Sequence, residues 1–342
     1  MKIALVTGSG GLVGQACVTR LISEGFKVLG IDNDFRKVFF GEQASNFNTI
    51  KHLCETYKNY THFELDIRNF KSLVNIFSNN KINLIIHSAA QPSHDWAAKD
   101  PFMDFEVNAN GTLNLLECFR NYAKEATFIQ VSTNKVYGDY PNNIEVAEHE
   151  TRYIPHDLSA SLINEKTPID QSLHSLFGVS KTSADLLVQE YGRYFGLNTA
   201  CFRCGCITGK AHSGVKLHGF LSYLIKCVKE GNPYEIIGYK GKQVRDNIHA
   251  DDLVDAFMHF HSKPKVAEVF NMGGGVYSNC SVIEAINVAE ELFNKKIKVI
   301  YNEKARLGDH RWYISDLSKF KTQYPSWSIT KTIKDIFNEY SN

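Results

Sequence analysis

The stretch TGSGGLVG, residues 7 to 14, closes the apolar run KIALVT (2 to 7) and leads into GQACVTRLISEG (14 to 25), whose apolar residues recur at helical spacing. Glycines at 8, 11 and 14 between a strand and a helix allow a tight turn, close approach of another group to the backbone, and close packing of helix on strand. Few architectures need all three at once. Short β-branched runs recur at KVLGID (27 to 32), HFELD (62 to 66), NLIIHSAA (83 to 90), TFIQVS (127 to 132) and NTACFR (198 to 203). Stretches with helical spacing, such as FKSLVNIF (70 to 77) and VNANGTLNLLECFRNYA (107 to 123), separate most of them. Near-continuous apolar strands alternating with helices predict an α/β fold, a doubly wound parallel sheet covered on both faces.

The pattern turns irregular after about residue 205 and returns to a strand-like run at VFNMGGG (269 to 275). Residues 139 to 175 form a polar segment too long for a simple connection, a length typical of functional loops. No flexible linker divides the chain. The expected organisation is therefore interwoven: residues 1–206 with 243–270 as the sheet domain, and 207–242 with 271–342 as a smaller C-terminal substrate domain.

A chain of 342 residues with 43% hydrophobic content can bury a sizeable core. Its 38 basic and 37 acidic residues leave no global field to draw nucleic acid or an anionic membrane, so an anionic ligand must be held by a few placed residues. No run approaches the roughly 20 apolar residues of a membrane span, and the first apolar run breaks into glycines too early for a secretory signal. A cytoplasmic protein is expected, without membrane or nucleic-acid partners. Among the eight cysteines only Cys201, Cys204 and Cys206 cluster, without a second ligand pair at zinc spacing, so no metal is expected.

The glycine turn has a chemical meaning. The start of the following helix, at Leu12 and Val13, offers amide donors and positive potential to a pyrophosphate. Asp32, at the end of the second apolar run and beside Asn33, is placed to accept hydrogen bonds from an adenosine ribose. Its charge would repel a 2′-phosphate. NAD is therefore favoured over NADP, with Arg36 able to offset part of the repulsion.

With these residues the chain resembles the extended short-chain dehydrogenase/reductase family of NAD-dependent nucleotide-sugar epimerases and dehydratases. The matching strings occur in order: TGSGGLVG, Asp66-Ile67-Arg68, HSAAQ (87 to 91), VNANGT (107 to 112), STNKVYGD (132 to 139), FGVSK (177 to 181), RDNIHADDL (245 to 253) and RLGD (306 to 309). The resemblance implies a Rossmann domain in which Asp66 and Ile67 border the adenine. It implies that Ala89, Ala90 and Gln91 line the dinucleotide, that Asn108 and Ser132 belong to the same set, and that Lys181 holds the nicotinamide ribose. It assigns Thr133 and Asn134 to the sugar, Arg245 and Arg306 to the substrate phosphates and Asp309 to the nucleotide ribose. It also implies a homodimer, paired through helices at 111 to 123 and 182 to 196.

Within the family, dehydratases carry an acidic pair after the threonine; here those positions are Asn134 and Lys135, which disfavours elimination of water. STNKVYGD, ETRY (150 to 153) and GKQVRDNIH (241 to 249) look most like the branch of CDP-tyvelose (CDP-paratose) 2-epimerases. That resemblance implies a CDP-hexose substrate and a transient keto-sugar. The alternatives are another nucleotide-sugar 4-epimerase or reductase, or a non-catalytic protein that binds NAD and a nucleotide sugar.

One position departs from the family. Phe177 stands where the family has the proton-carrying tyrosine, and a phenyl ring cannot move a proton. Thr133 can donate a hydrogen bond but is no base at neutral pH. Replacement carriers are His174, Lys135, Lys181 and Tyr137, with His174 the best matched by intrinsic pKa. An active enzyme with a substitute base, a tyrosine-to-phenylalanine change made to trap a complex, and a binding protein without catalysis all remain open.

The cofactor reading gives the first prediction. Asp32→Ala is expected to weaken NAD binding by about 1 to 2 kcal/mol, the scale of a lost charge-assisted hydrogen bond, and to relax rejection of NADP. Titration calorimetry with both dinucleotides checks it, and unchanged affinity for both contradicts it.

Overall fold

The central sheet contains seven strands in the computed structural model, which describes residues 1–210, 214 and 219–340. In chain order they are β1 (Ile3–Thr7), β2 (Lys27–Ile31), β3 (Tyr60–Phe63), β4 (Ile82–His87), β5 (Thr127–Thr133), β6 (Thr199–Cys204) and β7 (Glu268–Met272). The helices that matter for the site are α1 (Leu12–Ser23), α2 (His94–Lys99), α3 (Gly111–Tyr122) and α4 (Ser175–Phe195). Of the segments expected to form the smaller domain, residues 211–213, 215–218 and 341–342 lie outside the described residues.

The sheet order is β7-β6-β5-β4-β1-β2-β3. β1 runs parallel to both β2 and β4, β2 to β3, and β4 to β5. The chain thus winds outward in one direction from β1 and in the other from β4, the doubly wound pattern expected from the alternating runs. The change of direction leaves a crevice beyond the carboxyl ends of these two strands. β4 is the middle strand, and its neighbour β1 has Ala4, Leu5 and Val6 wholly buried.

The third strand is displaced from its expected place. The run HFELD predicts 62 to 66, whereas the strand is Tyr60–Phe63. Tyr60 belongs to it because its ring fills the space above Gly30, where a β-carbon would lie 2.3 Å from the phenol oxygen. The chain leaves the sheet before Asp66, whose Oδ1 accepts from the Arg68 amide at 2.9 Å in an Asx turn.

The chain divides into two compact units. The first is Met1–Val136, Leu176–Arg203 and Val254–Phe270; the second is Tyr137–Ser175, Cys204–Leu253 and Asn271–Asn342. In the first, Leu115, Leu116 and Phe119 of α3 pack with Leu73 and Phe77 of the helix Phe70–Ser78 and with Leu5, Leu29, Ile85 and Phe128 of the sheet. In the second, the helices Phe220–Glu230 and Val282–Phe293 share a core with the strand Tyr234–Ile237. Its strand Val244–His249 is flanked by Cys206–Thr208, Asn279–Ser281 and Trp312–Tyr313. Among the described residues no helix is long and apolar enough to cross a membrane.

The polar segment 139 to 175 is a fixed part of the second unit. The Ile163 amide donates to Ile314 at 2.9 Å and the Tyr153 amide to Lys242 at 3.0 Å. Arg152 grips both carboxylate oxygens of Glu284. Glu284 in turn closes the capping box that begins the helix Val282–Phe293 with Ser281.

Asp246, on the strand Val244–His249, is a buried carboxylate of this unit. It is wholly buried, and its Oδ2 accepts from the amides of Ser315 at 2.9 Å and Gly275 at 3.2 Å, while Oδ1 receives no donor. Burial pushes its carboxyl up to about 6, against the pull of those donors. The folded protein therefore takes up this proton more readily than the unfolded chain. The stabilisation is present below the unfolded value of about 4 and is lost as pH rises through about 6. The melting temperature of the wild type relative to Asp246→Asn should therefore climb as pH falls from about 7.5 to about 5. Parallel melting curves across that range would contradict the assignment.

Candidate active site

In the first unit, the turn after β1 leaves room for a ligand. Gly8 has φ +69°, and a β-carbon there would stand 2.8 Å from the Ala89 nitrogen; one on Gly14 would stand 2.0 Å from the Gly8 carbonyl oxygen. Gly11 differs, because its β-carbon would meet nothing closer than that same oxygen at 3.4 Å. Protein packing does not forbid a side chain there, whereas close approach of a diphosphate does. Gly11 caps α1 without any side-chain acceptor. The amides of Leu12 and Val13 then lie in the first turn, where the helix itself provides no carbonyl partners.

The carboxylate of Asp32 follows β2. Its Oδ2 accepts from the Gly10 amide at 2.9 Å and its Oδ1 from the Asp34 amide at 2.8 Å. Oδ2 also accepts from Asn46 Nδ2 at 3.4 Å, so Oδ1 is the oxygen that keeps a further lone pair for a ribose hydroxyl. Burial pushes this carboxyl up, and the Asp34 and Gly10 amides oppose the push. Arg36 lies half-buried with its guanidinium 5.0 Å from the Phe40 ring centre. Asn33 donates to Asp66 at 3.2 Å. Partial burial raises the Asp66 carboxyl, but the Arg68 guanidinium and amide outweigh it and hold Asp66 below its ordinary value. Ile67 is buried, and its carbonyl accepts from Asn114 at 3.1 Å. These residues fit a dinucleotide.

Beyond β4, Ala89 and Ala90 are half-buried. The Ala89 amide donates to Thr7 Oγ1 at 3.2 Å, and a buried chain continues from Thr7 through His87 and Thr112 to the Asn108 carbonyl. Because Thr112 gives its proton to that carbonyl, His87 donates from Nε2 and accepts at Nδ1. Burial, with the charge of Lys181 adding to it, drives the His87 pKa down to about 3, so the ring stays neutral. The Gln91 side chain is wholly buried and committed to Ser93 and Asp104. That side chain holds the backbone of the segment that follows β4. Asn108 binds both backbone groups of Gln91 and donates to Asp104 and to Ser180 of α4, each at 3.0 Å. Asp104, which the sequence reading misses, ties this network together, and burial pushes its carboxyl up.

Along α4 the residues Phe177, Lys181, Asp185 and Gln189 recur every four positions and share one face. Lys181 is buried and donates to the Val131 carbonyl at 3.1 Å. Ser132 donates to Asp185 Oδ2 at 2.6 Å. Arg203 grips Asp185 through Nη2 at 2.8 Å and Nε at 3.2 Å. The end of β5 is thus fixed against α4, leaving Thr133 half-buried with its hydroxyl accepting from the Lys135 amide at 3.2 Å. Asn134 is buried next to it. The Phe177 ring is buried against His94, the first residue of α2, with ring centres 4.8 Å apart and planes at 57°.

The second unit holds the remaining residues. His174 Nδ1 donates to the Ser172 carbonyl at 2.9 Å. Arg245 and Asp309 form a 2.6 Å ion pair. Tyr239 and Arg311, which the sequence reading misses, belong to the same group: burial raises the Tyr239 phenol, Asp309 adds to the shift, and Arg245 and Arg311 oppose it. Arg306 is half-buried, and its charge reaches the buried Tyr234 phenol. Tyr137 is wholly buried and donates its phenol proton to Asn271 at 2.7 Å, which removes it as a proton carrier.

The family model described as the NAD dependent epimerase/dehydratase family matches residues 4–273. The chain belongs to that family, and NAD is its cofactor. It is 32% identical over 344 residues to a CDP-paratose 2-epimerase of Salmonella typhi, covering 98% of this chain and 96% of the relative. It is 28% identical to a dTDP-glucose 4,6-dehydratase of Escherichia coli, covering 98% and 90%. Among solved structures, a tyrosine-to-phenylalanine mutant of UDP-glucuronic acid 4-epimerase from Bacillus cereus, in complex with UDP-4-deoxy-4-fluoro-glucuronic acid and NAD, superposes with a TM-score of 0.78. It is 24% identical and covers 99% of this chain and 98% of that one. A dTDP-glucose 4,6-dehydratase from Bacillus anthracis in complex with NAD gives a TM-score of 0.77 at 23% identity, covering 100% and 96%.

The Asp185–Arg203 pair is almost fully out of water, with 4% of the Arg203 side chain and none of the Asp185 side chain exposed. Arg203→Met strands a buried carboxylate and is expected to cost about 3 to 5 kcal/mol. Urea unfolding measures it; a loss below about 1 kcal/mol would show that the pair does not hold β5 against α4.

Proposed function

We propose that the protein is an NAD-dependent epimerase acting at carbon 2 of a CDP-hexose, working as a cytoplasmic homodimer. The observation that carries this reading is the set around Phe177: Thr133, Ser132 and Lys181 sit on β5 and α4, locked together by Asp185 and Arg203. A protein that only bound its ligands would not need this frame. The near full-length match to a CDP-paratose 2-epimerase supports carbon 2 and the cytidine nucleotide.

Bound NAD supplies a hydride acceptor that gives back what it takes, so no dinucleotide is consumed. The glycine turn and the α1 amides hold its diphosphate, Asp32 its adenosine ribose, and Lys181 its second ribose. Thr133 donates a hydrogen bond to the sugar hydroxyl. Arg245 and Arg306 neutralise the substrate diphosphate, with Asp309 orienting Arg245 and accepting from the nucleotide ribose. Asn134 and Lys135 offer no carboxyl pair to expel water, which keeps the chemistry to epimerisation. Apolar side chains left exposed on α4, Leu176, Val179 and Leu186, with Tyr194 beyond them, support pairing with a second copy.

The test is incubation of the purified protein with CDP-paratose or CDP-tyvelose, followed by separation of the sugars. Interconversion without net use of NADH or NADPH is the expected result. Net dinucleotide consumption would make it a reductase, release of water a dehydratase, and no change in any nucleotide hexose a binding protein.

A further inference from the structure

We infer that an aromatic strap crosses the cofactor crevice and keeps NAD from leaving between turnovers, and that Trp96 gives its indole proton to the bound dinucleotide. The inference rests on NAD as the cofactor and not on which sugar is epimerised. β1 lies between β2 and β4 in the sheet, so a contact between the chain leaving β2 and the chain leaving β4 spans the end of β1, where the glycine turn begins. Such a contact exists within the first unit. The Phe39 ring meets the Trp96 ring with centres 5.4 Å apart and planes at 64°. Phe39 belongs to the short helix Arg36–Phe40 that follows β2, and Trp96 to α2.

This contact is one link in a row. Phe35 packs edge-on against Phe39 at 5.2 Å and 85°. Cations close both ends, with the Arg68 guanidinium 5.4 Å from the Phe35 ring centre and the Lys99 ammonium 4.5 Å from that of Trp96. Edge-to-face rings and cations over rings attract beyond the area they bury. Arg68 comes from the segment after β3, and its Nη1 donates to Met103 Sδ at 3.0 Å. The row therefore ties together the segments that follow β2, β3 and β4.

On the β2 side the strap rises from a fixed base. Asp34 accepts from the Ser45 hydroxyl at 2.7 Å and from the Asn46 amide at 2.5 Å, and Asn46 donates to Asp32. On the β4 side Ser93 caps α2 by accepting from the Trp96 amide at 3.1 Å. Opening the strap then means parting Phe39 from Trp96 while both bases stay in place. Trp96 carries a second, independent observation. Its indole N–H is buried and meets no acceptor among the described residues, and a buried donor left unpaired is costly. Diphosphate and ribose oxygens of a dinucleotide in the crevice are the acceptors at hand. In an epimerase the retention has a use, because loss of the reduced dinucleotide in mid-cycle would leave the sugar oxidised.

The experiment uses the NAD-loaded protein. Exchange against isotopically labelled NAD gives the release rate, equilibrium dialysis the affinity, and the two together the uptake rate. In Phe39→Ala release and uptake should both quicken by about fivefold, the scale of one lost aromatic pair, and affinity should stay within about twofold, because a strap slows passage in both directions. In Trp96→Phe a ring remains and the donor is gone, so release should quicken by about fivefold or more with uptake unchanged. If Phe39→Ala does not fold, Phe39→Leu takes its place, removing the ring while keeping apolar bulk. Unchanged rates in the Phe39 variant, or faster release without faster uptake, overturn the strap. Release at the wild-type rate from Trp96→Phe overturns the donor. A wild type that binds no NAD overturns the inference together with the cofactor assignment.

Discussion

The turns after β1 and β4 approach so closely that a β-carbon on Gly8 would stand 2.8 Å from the Ala89 nitrogen. Only a residue without a side chain and with φ near +69° lets the two strand ends meet. That meeting places the crevice where the winding of the sheet changes direction. It sets the start of α1 against one side of the crevice and, through Ala89 and Gln91, the start of α2 against the other. The glycine turn after β1 and the segment from Ala89 to His94 therefore depend on one contact between backbones.

Beneath the crevice the protein spends buried polar groups on rigidity. Asp104 joins Gln91 to Asn108, and Asn108 joins both to Ser180 of α4. Asp185 and Arg203 join α4 to β5 through Ser132. An apolar core of the same volume would hold the elements together as well or better. It would not fix the angle at which Thr133 and Lys181 are presented, because dispersion contacts tolerate sliding that a directional network does not. The location of these networks, between β5 and α4, which carry Thr133 and Lys181, agrees with that use.

Much of this can be read from the sequence where the signal is local. The glycine turn, Asp32 and the Phe177–Lys181 spacing each occupy one short string, and the sheet follows from apolar runs of strand length. The third strand is misplaced because HFELD alternates well enough to pass for a strand, while the burial of Tyr60 over Gly30 is a tertiary fact. His94 escapes for the same reason: it lies far from Phe177 in the chain, and nothing in QPSHDWA announces which ring it will meet. Arg203 could have been found. A charged residue inside CFRCGC, a run that otherwise reads as buried strand, requires a buried partner.

The replacement of a phenol by a phenyl ring changes which proton carriers the site can tolerate. A tyrosine works as a base near neutral pH only when a neighbouring cation lowers its pKa, which ties proton transfer to the charge of Lys181. With Phe177 in place, the apolar ring is a wall against which the His94 imidazole packs, with ring centres 4.8 Å apart. Gln91, clamped to Ser93 and Asp104, fixes the backbone that carries His94, so the ring facing Phe177 is held in place by directional bonds.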